Sequence, residues 1–264
     1  MPRHSGVSFS LSRFSISVFF LETRSPKAPV KQDITARRKI SLYAFYAGLA
    51  FTGDLFCWHL AILNTSIANA TFLATMTPVF ILLFLWILFH QKPASRSVWG
   101  VLVCIAGGAV LTGIFAGQFG NLTGDLYGIA TAFFFSSYFL FVQQARPFCG
   151  AGQITFRLSL VTAFCLFLIA VADYHIRGNA IMPITIHGAS ALLGMAFICH
   201  AAGQGLLAVA LGRLPPVFSS LVIFVEAISA AIFGYIFVSE TLSIYQIIGG
   251  LLILCGIWIA RPAH

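Results

Sequence analysis

The chain has 264 residues, 59% of them apolar and only 8% charged, with 15 Lys and Arg against 7 Asp and Glu for a net charge of +8. An ordinary soluble domain carries about 25% charged residues, so this composition excludes a soluble globular protein and makes lipid the solvent for most of the chain. The basic residues are not interleaved with aromatics on one face, which argues against a nucleic-acid partner, and the six cysteines never reach C-x-x-C spacing, so they read as small hydrophobes rather than a disulfide or zinc framework.

The first candidate element, residues 7–21, is a weak span, since it contains Arg13 and alternates serine with apolar residues. The polar stretch Arg24 to Lys39 follows and holds six of the fifteen basic residues. Eight strongly apolar segments come next, at 41–63, 66–89, 97–117, 125–143, 154–172, 187–211, 216–238 and 243–260, each near the ~20 residues a helix needs to cross the hydrocarbon core. Their connections are too short for a soluble domain. Placing the Arg24–Lys39 loop in the cytoplasm puts twelve basic residues on that side and only Arg3, Arg13 and Arg177 on the other. The reading is an integral protein of the bacterial inner membrane with a cytoplasmic C-terminus.

An offset of 149 residues aligns Ala47 with Ala196, Ala61 with Ala210, Phe84 with Phe233, Gly100 with Gly249 and Gly107 with Gly256, and it matches the boundaries of three consecutive spans. The two copies of the first of these lie five crossings apart, so the second copy runs through the membrane the opposite way. An inverted repeat of this kind is a transporter architecture. The boundaries expected for the halves are 1–117 and 118–264.

The stretch Gly53-Asp54 through Trp58, then Asn64-Thr65-Ser66-Ile67-Ala68-Asn69-Ala70-Thr71 and Thr77-Pro78, resembles the first half of EamA-type permeases of the drug/metabolite transporter superfamily. Gly203-Gln204-Gly205, Leu214-Pro215, Phe218-Ser219-Ser220-Leu221, Ser239-Glu240-Thr241-Leu242 and Gly249-Gly250 resemble its C-terminal signature. The resemblance implies an all-α polytopic fold of two inverted five-helix repeats, ten helices in all, with both termini cytoplasmic and a central cavity for a small metabolite. About nine spans are read here, so a further apolar segment is expected upstream of Met1. Position 227 is Ala where the family commonly has proline, whereas the first-half counterpart Pro78 is present.

Ionisable groups inside spans are costly and mark candidate sites. Asp54 has Trp58 one turn further along its face, which reads as a cavity wall; the alternative is a carboxyl that orders the bundle. His200 and Gln204 are one turn apart beside Gly203 and Gly205, whereas His59 lies nearer the outer interface. Glu226 falls about 15 Å into the segment beginning at Pro216, near the midplane. A carboxyl buried in low dielectric can take up a proton, making Glu226 the candidate for proton coupling. Asn69, with Phe72 and Met76, and Tyr138, with Tyr127 and Thr131, form stripes that line a cavity or simply pack. Glu240 reads as structural, capping the next helix around Ser243.

These residues point to a secondary carrier that moves a small metabolite or drug by alternating access, with Asp54, Trp58, Asn69, Tyr138, His200, Gln204 and Glu226 around the substrate. The rival is a non-transporting, degenerate paralogue. A polytopic membrane enzyme is disfavoured because no two of the seven acidic residues lie closer than eleven positions and no His pair has ligand spacing. No cofactor and no metal are expected. The expected partners are a small-molecule substrate and membrane lipid, and a homodimer is compatible with this reading.

Overall fold

The computed structural model describes residues 34–65, 67–112, 121–177, 185–237 and 243–261, and the 7–21 candidate lies outside them. Over their described residues all eight strong spans are helical. They are α1 (Ile34–Asn64), α2 (Ile67–Ala74) with α3 (Thr77–Ile87), α4 (Ser95–Thr112), α5 (Leu122–Ala145), α6 (Ala151–Arg177), α7 (Ile186–Gly194) and α8 (Gly205–Leu211) joined by a π-helical segment (Met195–Gln204), α9 (Pro216–Leu221) with α10 (Phe224–Phe237), and α11 (Ile244–Ala260). Among the described residues six stretches are long and apolar enough to cross a membrane, and Pro216–Ser229 and Ile244–Ala260 are shorter apolar helices.

Three departures from the sequence reading matter. Helix α1 begins seven residues before the expected span at 41, so Arg37, Arg38 and Lys39 belong to its first two turns and not to a loop. The 66–89 and 216–238 spans are each broken. At the first break Met76 N–H bonds the carbonyl three residues back, while the Thr75 and Thr77 hydroxyls donate to the Phe72 and Ala74 carbonyls at 2.7 and 2.8 Å. At the second, the N–H groups of Ile223, Val225 and Glu226 each bond three residues back, tightening the turn between α9 and α10. Third, a capping box of Ser243 with Gln246 starts α11, and Glu240, expected to cap it, lies outside the described residues.

Small residues let the helices approach closely. In α1, Gly48 and Gly53 lie against Val161 of α6 and the Phe134 ring of α5. Helices α4 and α11 run antiparallel with Gly100 against the Gly256 carbonyl and Gly107 against the Gly249 carbonyl. Without a hydrophobic drive between lipid-bathed helices, such backbone approach and the dispersion it permits hold the pair together.

The four glycines also reveal the symmetry of the molecule, because Gly100 and Gly249, like Gly107 and Gly256, are equivalents at the 149-residue offset, and each contacts the partner of the other. At the centre of this pair Cys104 donates through Sγ to the carbonyl of its own equivalent, Ile253, at 3.4 Å. A second equivalent pair also meets. Phe51 and His200 face each other with ring centroids 5.5 Å apart. A residue contacts its own symmetry mate only at the symmetry axis, so the pseudo-two-fold axis passes between Cys104 and Ile253 and between Phe51 and His200.

Candidate functional site

Around the Phe51–His200 crossing, four helical elements bring polar groups together. From α5, Tyr138 is fully buried, packs 5.1 Å from Phe51 and donates from its hydroxyl to Gln204 Oε1 at 2.7 Å. His200 Nε2 lies 2.9 Å from Ser159 Oγ of α6. Both His200 and Gln204 belong to the π-helical segment, whose wider turn needs a stabilising context and is found most often at functional sites. The Tyr138 and Ser159 hydrogen bonds provide part of that context.

Asp54 sits one turn beyond Phe51 on α1. It is only 8% exposed, and among the described residues no hydrogen bond reaches its carboxyl. Tyr138 and Glu226 are its neighbours from α5 and α10. Trp58, one turn further along α1, is half-buried, with its ring edge on His59 at 5.4 Å.

The structure therefore gathers Asp54, Tyr138, His200, Gln204 and Glu226 into one neighbourhood with Trp58 above it. Two expectations are corrected. Glu226, expected at a protected depth along one unbroken helix, instead occupies the first turn of α10, directly after the helix break, with its side chain at the surface of the protein, and Asp54 is the more enclosed of the two carboxyls. The reason is the break itself, which ends α9 before residue 222 and turns the following residues out of a continuous helical face. Asn69 does not join the cluster. It donates to Asp125 Oδ1 and, at 3.0 Å, to Thr65 Oγ1, fastening α2 to the first turn of α5 where Gly124 abuts Asn64 and Thr65. His59 meets the Leu55 carbonyl of its own helix at 2.8 Å, a local contact that accounts for it without a ligand.

Sequence reasoning missed Phe51 and Ser159. The offset that pairs Phe51 with His200 was the signal available for Phe51, since an intramembrane His whose equivalent is aromatic marks a candidate axis position. Ser159 gave no signal beyond its residue type. Elsewhere, a cavity of about 230 Å³ lies between the α3–α4 corner and the start of α9, lined by Gln91, Lys92, Ser97, Pro215 and Phe218 among others. Among the described residues no group of three or more His, Cys, Asp or Glu has the arrangement of a metal site.

The sequence matches the model of the EamA-like transporter family over residues 1–113 and 122–261. A solved structure titled only "Crystal structure of protein" shares the fold with a TM-score of 0.66 at 16% identity, over 93% of this chain and 91% of that one. No curated protein matches it.

Proposed function

The chain belongs to the EamA-like transporter family, an integral membrane family of permeases, and from that premise we propose that it is a secondary carrier whose substrate binds beside Asp54, at the crossing of the pseudo-two-fold axis. The observation that supports this most directly is the Phe51–His200 pair. Two halves that rock against each other leave the axis region in place while exposing it to one side and then the other, and Asp54, Tyr138 and Gln204 surround that region. The domain division at 117–118 and the cytoplasmic C-terminus are part of the same reading, the latter supported by the twelve-to-three distribution of basic residues.

Glu226 is the coupling carboxyl in this reading. It stands at the surface in the first turn of α10 and neighbours Asp54, and in this reading it takes up and releases the coupled proton. The test is counterflow in proteoliposomes preloaded with a metabolite extract. Wild type should exchange a subset of the metabolites, Asp54→Asn should lose that exchange, and Glu226→Gln should keep exchange while losing accumulation driven by a pH gradient. Absence of exchange by folded wild-type protein refutes the carrier reading and favours the non-transporting paralogue.

A further inference from the structure

Asp54 lies one turn from the Phe51–His200 pair and is only 8% exposed, and among the described residues no hydrogen bond satisfies its carboxyl. Among the described residues no Lys or Arg is paired with either carboxyl. Every Lys and Arg among the described residues lies in a connection or within two turns of a helix end, and the one furthest into a helix from the α6 start, Arg157, reaches Ser41 Oγ instead. Other buried polar groups of the cluster are already engaged, Tyr138 with Gln204 and His200 with Ser159. Holding a buried carboxyl ionised without a partner is expensive in low dielectric, and a ligand that supplies the missing cation removes that cost.

The walls around Asp54 narrow the chemistry further. Phe51 and Tyr138 form an aromatic floor one turn below it, and the half-buried indole of Trp58 stands one turn above it. An aromatic ring face attracts a cation and also accepts an apolar body, and indole does so best. A carboxyl one turn from aromatic rings on either side, with no basic side chain among the described residues paired to it, suits a cation better than an anion or a sugar phosphate.

We infer that the substrate of this site is an organic cation, an amine or quaternary ammonium attached to an apolar or aromatic body, with its charge on Asp54 and its body against Trp58. The inference rests on the carrier reading given above, and its test separates the two. Three probes share a phenyl-ethyl skeleton and differ in charge: 2-phenylethylammonium, phenylalanine and 3-phenylpropionate, carrying net charges of about +1, 0 and −1 at neutral pH. Each is offered in labelled form to proteoliposomes containing the full chain, preloaded with the same compound.

Uptake of the cation at least about ten-fold faster than of the other two is expected. Asp54→Asn should abolish it in protein whose melting temperature is unchanged. Trp58→Leu, a half-buried position where folding is less at risk, should raise the KM for the cation about three-fold or more while leaving kcat near wild type, in keeping with the loss of one cation–π contact. Equal or faster uptake of the zwitterion or the anion overturns the inference, as does an unchanged KM in Trp58→Leu. If none of the three probes moves while a metabolite extract is still exchanged, the substrate class is wrong and the carrier reading stands. If the extract is not exchanged either, both fall together.

Discussion

Replacing Gly249 by alanine tests the axis directly, because the neighbouring Gly250 supplies a control on the same helix. A Cβ at position 249 would lie 2.5 Å from the Leu111 nitrogen and 2.6 Å from the Gly107 carbonyl oxygen. Non-bonded heavy atoms rest at about 3.5–4.0 Å, so α4 and α11 would have to part by about 1 Å. Backbone is the obstacle on both sides, and no rotamer change relieves it. Overpacking of this kind costs about 1–3 kcal/mol, against a helix-propensity gain of about 1 kcal/mol for alanine over glycine. At Gly250 the nearest atom to a new Cβ is Ile228 Cγ1 at 3.8 Å, an ordinary contact, so only the gain remains. The two variants should differ by about 2 kcal/mol, which for a chain of this size is about 4–8 °C in Tm. Thermal unfolding of the detergent-solubilised protein, followed by size-exclusion of the surviving fraction, measures this. Gly100→Ala should behave like Gly249→Ala, since its Cβ would meet Ala260 Cβ at 2.5 Å and the Gly256 oxygen at 2.7 Å. A Gly249→Ala protein as stable as Gly250→Ala would refute the close antiparallel pairing and the symmetry axis derived from it.

Asn69→Ala and Asp125→Ala should each destabilise the protein and the double variant should lose less than their sum, with a coupling of about 1–2 kcal/mol in a thermal-unfolding cycle, because the two side chains share one hydrogen bond between α2 and α5. Cys149, in the connection between α5 and α6, should react slowly with maleimide at pH 7 and faster as pH rises. Burial pushes its thiol up, and the opposing pull of Arg146 and Arg157 does not cancel that effect; rapid labelling in the folded protein at pH 7 would contradict this. A reporter fused after Arg261 should be active only when the reporter works in the cytoplasm, and activity restricted to the outer side would invert the topology.

The helices were legible because lipid imposes a simple rule: about twenty apolar residues in a row, with charges at the ends. The repeat was legible for a related reason, since span boundaries and glycines at matching offsets survive where identity does not. What sequence could not supply was the interior of each span. The breaks at 75–76 and 222–223 replace helical bonds with tighter turns and hydroxyl bonds, and neither leaves a mark in hydropathy. The π-helical segment is equally silent, because one extra residue per turn alters which side chains face inward without changing composition. Depth counted along an unbroken helix therefore put Glu226 in the protected position, whereas the break sets it at the surface in the first turn of α10. Asn69 was misread for another reason: a stripe on one helix says nothing of its partner, and Asp125, fifty-six residues away, claims it.

At the 149-residue offset the two breaks fall two residues apart, yet they are held by different chemistry. In the first half, Pro78 stands in the first turn of α3, where its missing N–H costs nothing, but its ring would collide with the Ala74 carbonyl if α2 and α3 were joined into one regular helix. That carbonyl instead accepts the Thr77 hydroxyl, and Ser136 of α5 donates to the Thr77 carbonyl at 2.9 Å, so the turn is pinned from within and from across the interface. In the second half the corresponding residue is Ala227, which has an N–H and no ring. Nothing covalent prevents α9 and α10 from forming one helix there; the break consists of three backbone bonds, from Ile223, Val225 and Glu226, each shifted by one residue from helical register. One break backed by a proline and a bond from across the interface, and the other held by backbone bonds alone, make the two halves locally unequal. The Glu226 N–H is one of the three shifted bonds, so straightening the second break would turn the carboxyl with its own backbone and change its approach to Asp54, which lies on the unbroken helix α1.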